Sequence, residues 1–183
     1  MAYKLVVIAV CGASLIGPSV QDAHAIPANP KAWECVAEGG FSKSEPLAIG
    51  SKFSVSGTLE FLLDDNQTKW NPVASISVSD SGGALEGGGL KFYLAERKDQ
   101  LLSGQVWGYN KLEELNKTGV VTGSYARRKP INFKIDIDSR GTFRGTVNGK
   151  PFESPGKSIR KGQLVLGCST AAVRFTNIVV IYK

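Results

Sequence analysis

The residues of this sequence whose types and spacing could do chemistry are a pair of acidic side chains. Asp136 and Asp138 alternate with isoleucines, so both carboxylates lie on the polar side of a predicted strand. Two carboxyl groups held close together can act as general acid and general base. The same pattern is also typical of the solvent side of a strand that runs into a turn, and we favour this second interpretation.

Other kinds of catalysis lack their residues. The chain has one histidine, His24, and it lies in a segment that we expect to be removed. Its loss excludes Ser-His-Asp and Cys-His catalysis and the commonest zinc sites. Asp64, Asp65 and Asn66 supply oxygen ligands that calcium accepts, although such residues are also typical of a hairpin turn. We therefore expect no catalytic residue, no metal site and no cofactor, with calcium left open.

A second group of side chains could bind a ligand without reacting. In the segment 101–109, Trp107 shares one parity with polar and aromatic residues, while leucine, valine and glycine occupy the other parity. Aromatic rings stack on sugar rings, and amides, carboxylates and cations bind hydroxyl groups. On one sheet face we expect the ligand-binding residues Trp107, Tyr109, Gln105, Tyr93, Lys134, Asp136 and Arg144. The alternative is that Trp107 is a core residue.

The amino-terminal segment has the form of an export signal. Lys4 precedes an apolar run at 5–17, and Ala23-His24-Ala25 supplies the small residues that precede a cleavage site. The run is shorter than the ~20 residues that span a bilayer. We predict a cleaved signal peptide at 1–25, one domain at 26–183, a secreted or periplasmic location and no transmembrane anchor after cleavage. Cys35 and Cys168 then remain in an oxidising compartment, which predicts a disulfide between them.

Composition limits the class of partner. The 183 residues are 42% hydrophobic and 21% charged, which is typical of a globular protein. Lys and Arg number 22 against 16 Asp and Glu, a net charge of +6. This excess could favour acidic polymers but falls short of a nucleic-acid-binding signature, so we expect no nucleic acid partner.

Strand periodicity dominates the rest of the chain. Alternating or short apolar runs predict about ten strands, at 33–37, 53–63, 74–78, 90–95, 101–109, 120–125, 131–138, 142–147, 163–168 and 172–182. Turn residues separate them, including Asn148-Gly149, the preferred pair for a two-residue hairpin. We interpret 77–89 as a flexible surface loop, 110–117 as a loop insertion, and Trp70 as a hydrophobic plug. The pattern favours an all-β, antiparallel jelly-roll sandwich of two sheets.

Residues 131–180 resemble the carboxyl-terminal half of the concanavalin A-like lectin/glucanase superfamily. The similarity lies in an alternating strand, a glycine turn, a short strand ending in Asn148-Gly149, and the closing strand Phe-Thr-Asn-Ile-Val-Val at 175–180. It implies the jelly-roll fold. The glucanase branch carries Glu-x-Asp-x-x-Glu on one strand, and Lys134 here stands where a carboxylate is required.

We interpret the chain as a non-catalytic binding module whose partner is a glycan or polysaccharide, neutral or anionic. One alternative is a glycan-active hydrolase or lyase that uses Asp136 with a distant carboxylate. Another is an envelope domain that binds protein through an apolar patch around Trp107. Sequons at Asn66 and Asn116 matter only in a eukaryotic secretory pathway.

Overall fold

Alternating apolar and polar residues form strands that bury one side and expose the other. A computed structural model describes residues 31–50, 52–64, 70–80, 86–94, 101–110, 120–138, 142–153 and 162–183. The predicted signal peptide, Asp65, Asn66 and the Asn116 sequon lie outside these ranges. Among the described residues, no helix is long and apolar enough to cross a membrane.

Two six-stranded sheets make up the described structure, and every strand pair in them is antiparallel. Sheet I has the order β1 (Lys31–Val36), β12 (Ala171–Tyr182), β3 (Phe53–Asp64), β8 (Ile131–Ile137), β9 (Phe143–Val147) and β10 (Lys150–Glu153). Sheet II has the order β2 (Ser42–Gly50), β11 (Gly162–Ser169), β4 (Val73–Asp80), β5 (Glu86–Tyr93), β6 (Leu101–Asn110) and β7 (Val120–Ala126). The expectation of an all-β sandwich is confirmed.

The inward sides of both sheets form one hydrophobic core. Phe53, Leu59 and Phe175 from sheet I and Ile76 and Phe92 from sheet II are 0% exposed. Trp33 closes the edge of this core by stacking on Phe175, with ring centroids 5.6 Å apart. Burial of this apolar surface is the main force that holds the sheets together.

A disulfide joins the sheets at one end of the sandwich. Cys35 lies in β1 of sheet I and Cys168 in β11 of sheet II, with Cα atoms 6.1 Å apart. Both side chains are buried. The predicted pairing is confirmed.

The sequence analysis missed two strands, β2 and β10, and both lie at sheet edges. Each contains a proline, Pro46 or Pro151. Proline has no N–H for a strand ladder, so it is tolerated at edges and weakens the sequence signal there. The interpretation of 77–89 as a loop was wrong at both ends, because Ser77–Asp80 belongs to β4 and Glu86–Gly89 to β5. Its middle, 81–85, lies outside the described residues, as does the predicted loop insertion beyond residue 110.

The predicted hairpin at Asn148-Gly149 is confirmed between β9 and β10. The φ angles of these residues are 48° and 78°, the left-handed pair that a type I′ turn requires. The Asn148 side-chain oxygen also accepts a hydrogen bond of 2.8 Å from the Asn132 backbone N–H. This bond ties the turn to β8 and holds sheet I together at its far edge.

Candidate functional site

The structure divides the predicted ligand-binding residues between the two sheets. Tyr93 lies in β5, and Gln105, Trp107 and Tyr109 lie in β6, all in sheet II. The other three are in sheet I: Lys134 and Asp136 in β8, and Arg144 in β9. The expectation of one shared face was wrong, because alternation shows that a residue points outward but not from which sheet.

Trp107 points away from the core. On β6, Leu102 and Val106 are 1% exposed, whereas Gln105 and Trp107 are partly exposed. The interpretation of Trp107 as a core residue was therefore wrong. The backbone of Tyr109 continues this strand, but its side chain is outside the described part of the structure.

The outer side of sheet II is lined mainly by small residues, among which serine is the commonest. Strand register gives three neighbouring rows across it. The first row contains Ser42, Ser169, Val73, Tyr93, Ser103 and Ser124. The second row contains Ser44, Gly167, Ser75, Lys91, Gln105 and Val121. The third row contains Pro46, Val165, Ser77, Gly89 and Trp107. We call this surface the serine face. It offers many hydroxyl groups and few large side chains.

Two aromatic rings rise from the serine face. Lys91 places its ammonium 5.5 Å from the centre of the Tyr93 ring, a cation–π geometry that orients both groups. Trp107 is paired across the strands with Gly89, which has no side chain to cover the indole. A Cβ at Gly89 would lie close to the Ile76 carbonyl oxygen, so the backbone packing itself requires glycine there.

The sequence analysis did not assign a role to Ser75, Ser77 or Lys91. A signal for them was present, because these residues alternate with the core residues Ala74, Ile76, Leu90 and Phe92. Periodicity could have placed them outward. It could not have placed them beside Trp107, because that requires the strand order of sheet II.

The sheet I residues line a charged pocket on the opposite side of the molecule. Its volume is about 510 Å³, and it is lined by Lys52, Lys134, Asp136, Ile137, Asp138, Arg144 and Lys183. The Lys183 ammonium donates a hydrogen bond of 2.6 Å to Asp136, and Lys134 is 3.7 Å from the same carboxylate. Arg144 donates to Asp138 at 2.9 Å. Both carboxylates of the acidic pair therefore have a cation as partner.

These contacts set the ionisation of Asp136. Burial raises the pKa of this carboxyl, but hydrogen bonds from Lys183 and Ser54 and the charges of Lys183 and Lys134 outweigh burial and hold the pKa below its ordinary value. A carboxylic acid that donates a proton during glycoside hydrolysis needs a raised pKa. Asp136 has the opposite perturbation.

We expect Asp136→Asn to lower the free energy of unfolding at neutral pH by less than about 1 kcal/mol, since the ion pairs are partly exposed. A lowered pKa in the folded state stabilises the protein above the unfolded-state pKa, and this stabilisation disappears as pH falls through the folded-state value. The difference between wild type and variant should shrink below about pH 4. Urea unfolding across pH measures it, with Lys183→Gln expected to act similarly. A difference that stays constant with pH contradicts the prediction.

The prediction for Trp70 was wrong. Its side chain is 54% exposed and lies against Gly40 in the turn before β2. Within the described ranges, no three His, Cys, Asp or Glu residues cluster as a metal site. Asp65 and Asn66 are outside those ranges, so the calcium prediction stays a prediction.

No protein-family model matches the chain, and no curated protein matches it. Solved structures do. A carbohydrate-binding module, CBM66 from Bacillus subtilis, has 14% identity and a TM-score of 0.53, over 85% of this chain and 93% of that one. The β-glucanase of Bacillus licheniformis has 12% identity and a TM-score of 0.53, over 78% and 71% of the two chains. An alginate lyase from Alteromonas sp. 272 has 10% identity and a TM-score of 0.51, over 73% and 72%.

These similarities show the fold. The chain has a concanavalin A-like jelly-roll sandwich, as the resemblance of residues 131–180 implied. The same fold is present in proteins named as a carbohydrate-binding module, a β-glucanase and an alginate lyase, so it does not by itself assign a function.

Proposed function

We propose that this chain is an exported, non-catalytic module that binds carbohydrate on the serine face. One observation carries the proposal: two partly exposed aromatic rings, Trp107 and Tyr93, stand on a surface of mostly small residues that is rich in serine. Sugar rings have an apolar face that stacks on aromatic rings, and their hydroxyl groups need hydrogen-bonding partners nearby. The serine face offers both.

The position of each residue on the serine face supports a role for it in binding. Trp107 and Tyr93 stack on sugar rings, and Gln105 and Ser75, which lie in the row between them, bind hydroxyl groups. Lys91 in the same row can pair with a carboxylate or sulfate, so an acidic glycan fits as well as a neutral one. The similar structures are named as a carbohydrate-binding module, a β-glucanase and an alginate lyase, which supports a glycan partner.

The alternative of catalysis by Asp136 has less support. Its carboxyl is hydrogen-bonded to Lys183, and its pKa is lowered, which suits an ion pair and not a proton donor. On the serine face, the row residues between the two rings are hydroxyl, amide and ammonium groups, with no carboxylate among them. We therefore favour binding without turnover and propose no cofactor.

Export is part of the proposal. The Cys35–Cys168 disulfide requires an oxidising compartment to persist. Together with the signal-like residues 1–25, it supports a secreted or periplasmic location.

The test is a glycan array that includes alginate and β-glucan, read with calcium and with a chelator. We expect Trp107→Ala to weaken binding about tenfold or more, because stacking on one indole contributes on the order of 1 kcal/mol or more. The matched control is Tyr182→Ala, an exposed aromatic residue of sheet I. Urea unfolding of each variant checks that its fold is intact.

Silence across neutral and acidic glycans, or full binding by Trp107→Ala, contradicts the proposal. Incubation with the same polysaccharides tests the enzymatic alternative. Release of products by the wild type that stops in Asp136→Asn favours a hydrolase or lyase.

A further inference from the structure

The turn that connects β1 to β2 presents apolar side chains to solvent. Phe41 is 67% exposed, Val36 is 51% exposed, and Trp70, which lies against Gly40, is 54% exposed. All three are at the end of the sandwich where the disulfide joins the sheets. Contiguous exposed apolar groups mark sites of interaction more often than isolated ones do.

Beside this turn is a hollow of about 340 Å³, lined by Val36, Glu38, Phe41, Ser42 and Lys43. It lies where β1 and β2, the edge strands of the two sheets, come together. We call it the rim hollow. An aromatic ring, a carboxylate, a hydroxyl and an ammonium around one hollow suit a sugar ring. Three apolar side chains are too few for a protein partner, which covers roughly 800 Å² on each side.

The turn is held in place by hydrogen bonds from the β11–β12 junction. The Phe41 carbonyl accepts from the Thr170 backbone N–H at 3.1 Å and from the Ser169 hydroxyl at 3.0 Å. The Thr170 hydroxyl accepts from the Gly40 N–H at 3.1 Å. A bound ring would therefore meet a turn that needs little further ordering, which favours affinity.

Thr170 holds this position under backbone strain. It is 0% exposed and has a φ of +53°, a region that β-branched residues rarely adopt. Such conformations cost on the order of 1–3 kcal/mol and cluster at functional sites. Here the strained residue makes two of the bonds that fix the Phe41 turn.

The rim hollow is continuous with the serine face. Ser42 is in register with Ser169, then Val73, then Tyr93, a span of three strand spacings or about 14 Å. Trp107 is on the next strand, four residues along from Ser103, the partner of Tyr93, and so lies about 14 Å from Tyr93. Ser169 and Val73 on the first part of this path are small, and the longer side chains of Lys91 and Gln105 lie beside its second part.

We infer that the ligand is an extended polysaccharide whose chain runs from Trp107 past Tyr93 into the rim hollow at Phe41. This inference rests on the proposed function and adds the class of ligand, a polymer and not a short oligosaccharide. Contacts at both ends of the path act together only for a chain long enough to span them. Affinity should therefore rise steeply with chain length.

The experiment measures dissociation constants by calorimetry for alginate and β-glucan, each as polymer and as trisaccharide. We expect Phe41→Ala to weaken polymer binding about tenfold and to leave trisaccharide binding at Trp107 unchanged. Trp107→Ala should weaken the binding of both, and Tyr182→Ala neither. Because Phe41 is largely exposed, its truncation should not alter the urea unfolding curve.

Each other outcome is informative. Polymer binding that depends on Trp107 but not on Phe41 overturns the extended path and leaves the proposed function standing. Equal loss of trisaccharide and polymer binding in Phe41→Ala also overturns it, since the hollow would then be the whole site. Absence of binding to every probe overturns the path together with the proposed function.

Discussion

Replacing both Cys35 and Cys168 by alanine is expected to lower the free energy of unfolding by about 5 kcal/mol. The bond closes a loop of 133 residues, and its removal restores to the unfolded chain the entropy that the closed loop had lost. An effect of this size is comparable with the total stability of many domains. Equilibrium urea unfolding of the double variant, compared with the oxidised wild type, measures the difference.

The chemically reduced wild type is the matched control. It lacks the disulfide bond but keeps both sulfur atoms, each of which gains one hydrogen. It should unfold close to the double variant. A loss below about 1 kcal/mol in both proteins contradicts the loop-closure account. A loss in the variant alone would instead assign the effect to packing of the buried sulfur atoms.

Phe175→Ala is expected to cost about 3–5 kcal/mol of unfolding free energy, since it deletes a buried ring and leaves a cavity. Phe175 is 0% exposed in β12, a strand with neighbours on both sides, and it stacks on Trp33. Truncation removes the surface on which Trp33 closes the core. The measurement is the urea midpoint together with the slope of the transition, which shows whether two-state unfolding survives.

Tyr182→Ala on the same strand provides the comparison. Tyr182 is 56% exposed, and a surface truncation of this kind should stay within about 0.5 kcal/mol of the wild type. Similar losses in the two variants contradict the assignment of Phe175 to the core. In that case β12 would be sensitive to any truncation.

Much of the fold could be predicted from the sequence, because burial imposes a period of two on each strand. Alternation of apolar and polar residues identified β3 and β8. In β6, the same alternation correctly predicted that Trp107 and Val106 point to opposite sides of the sheet. The disulfide followed from counting cysteines in a chain whose first 25 residues we predict to be an export signal. Edge strands such as β2 were missed because they bury little and carry proline, so their sequences are under weak periodic constraint.

The candidate site was predicted less well, since it depends on which strands are neighbours. Lys134 and Trp107 both alternate with core residues, yet strand order places them on opposite outer faces. Ser75 and Lys91 looked like ordinary solvent-side residues until register placed them in the row between Tyr93 and Trp107. Long-range pairing of this kind is decided by the packing of whole sheets and leaves no local mark in the sequence.

The order of strands also bears on when the protein can fold. β11 and β12 are the last of the described strands, yet β11 lies between β2 and β4, and β12 lies between β1 and β3. Sheet II cannot close before β11 has been made, and sheet I cannot close before β12 has been made. Synthesis proceeds from the amino terminus at about 5–20 residues per second, so both sheets stay incomplete for most of the time that synthesis takes. A chain whose sandwich is still incomplete can pass through a translocation pore in extended form, which is compatible with the export that we propose.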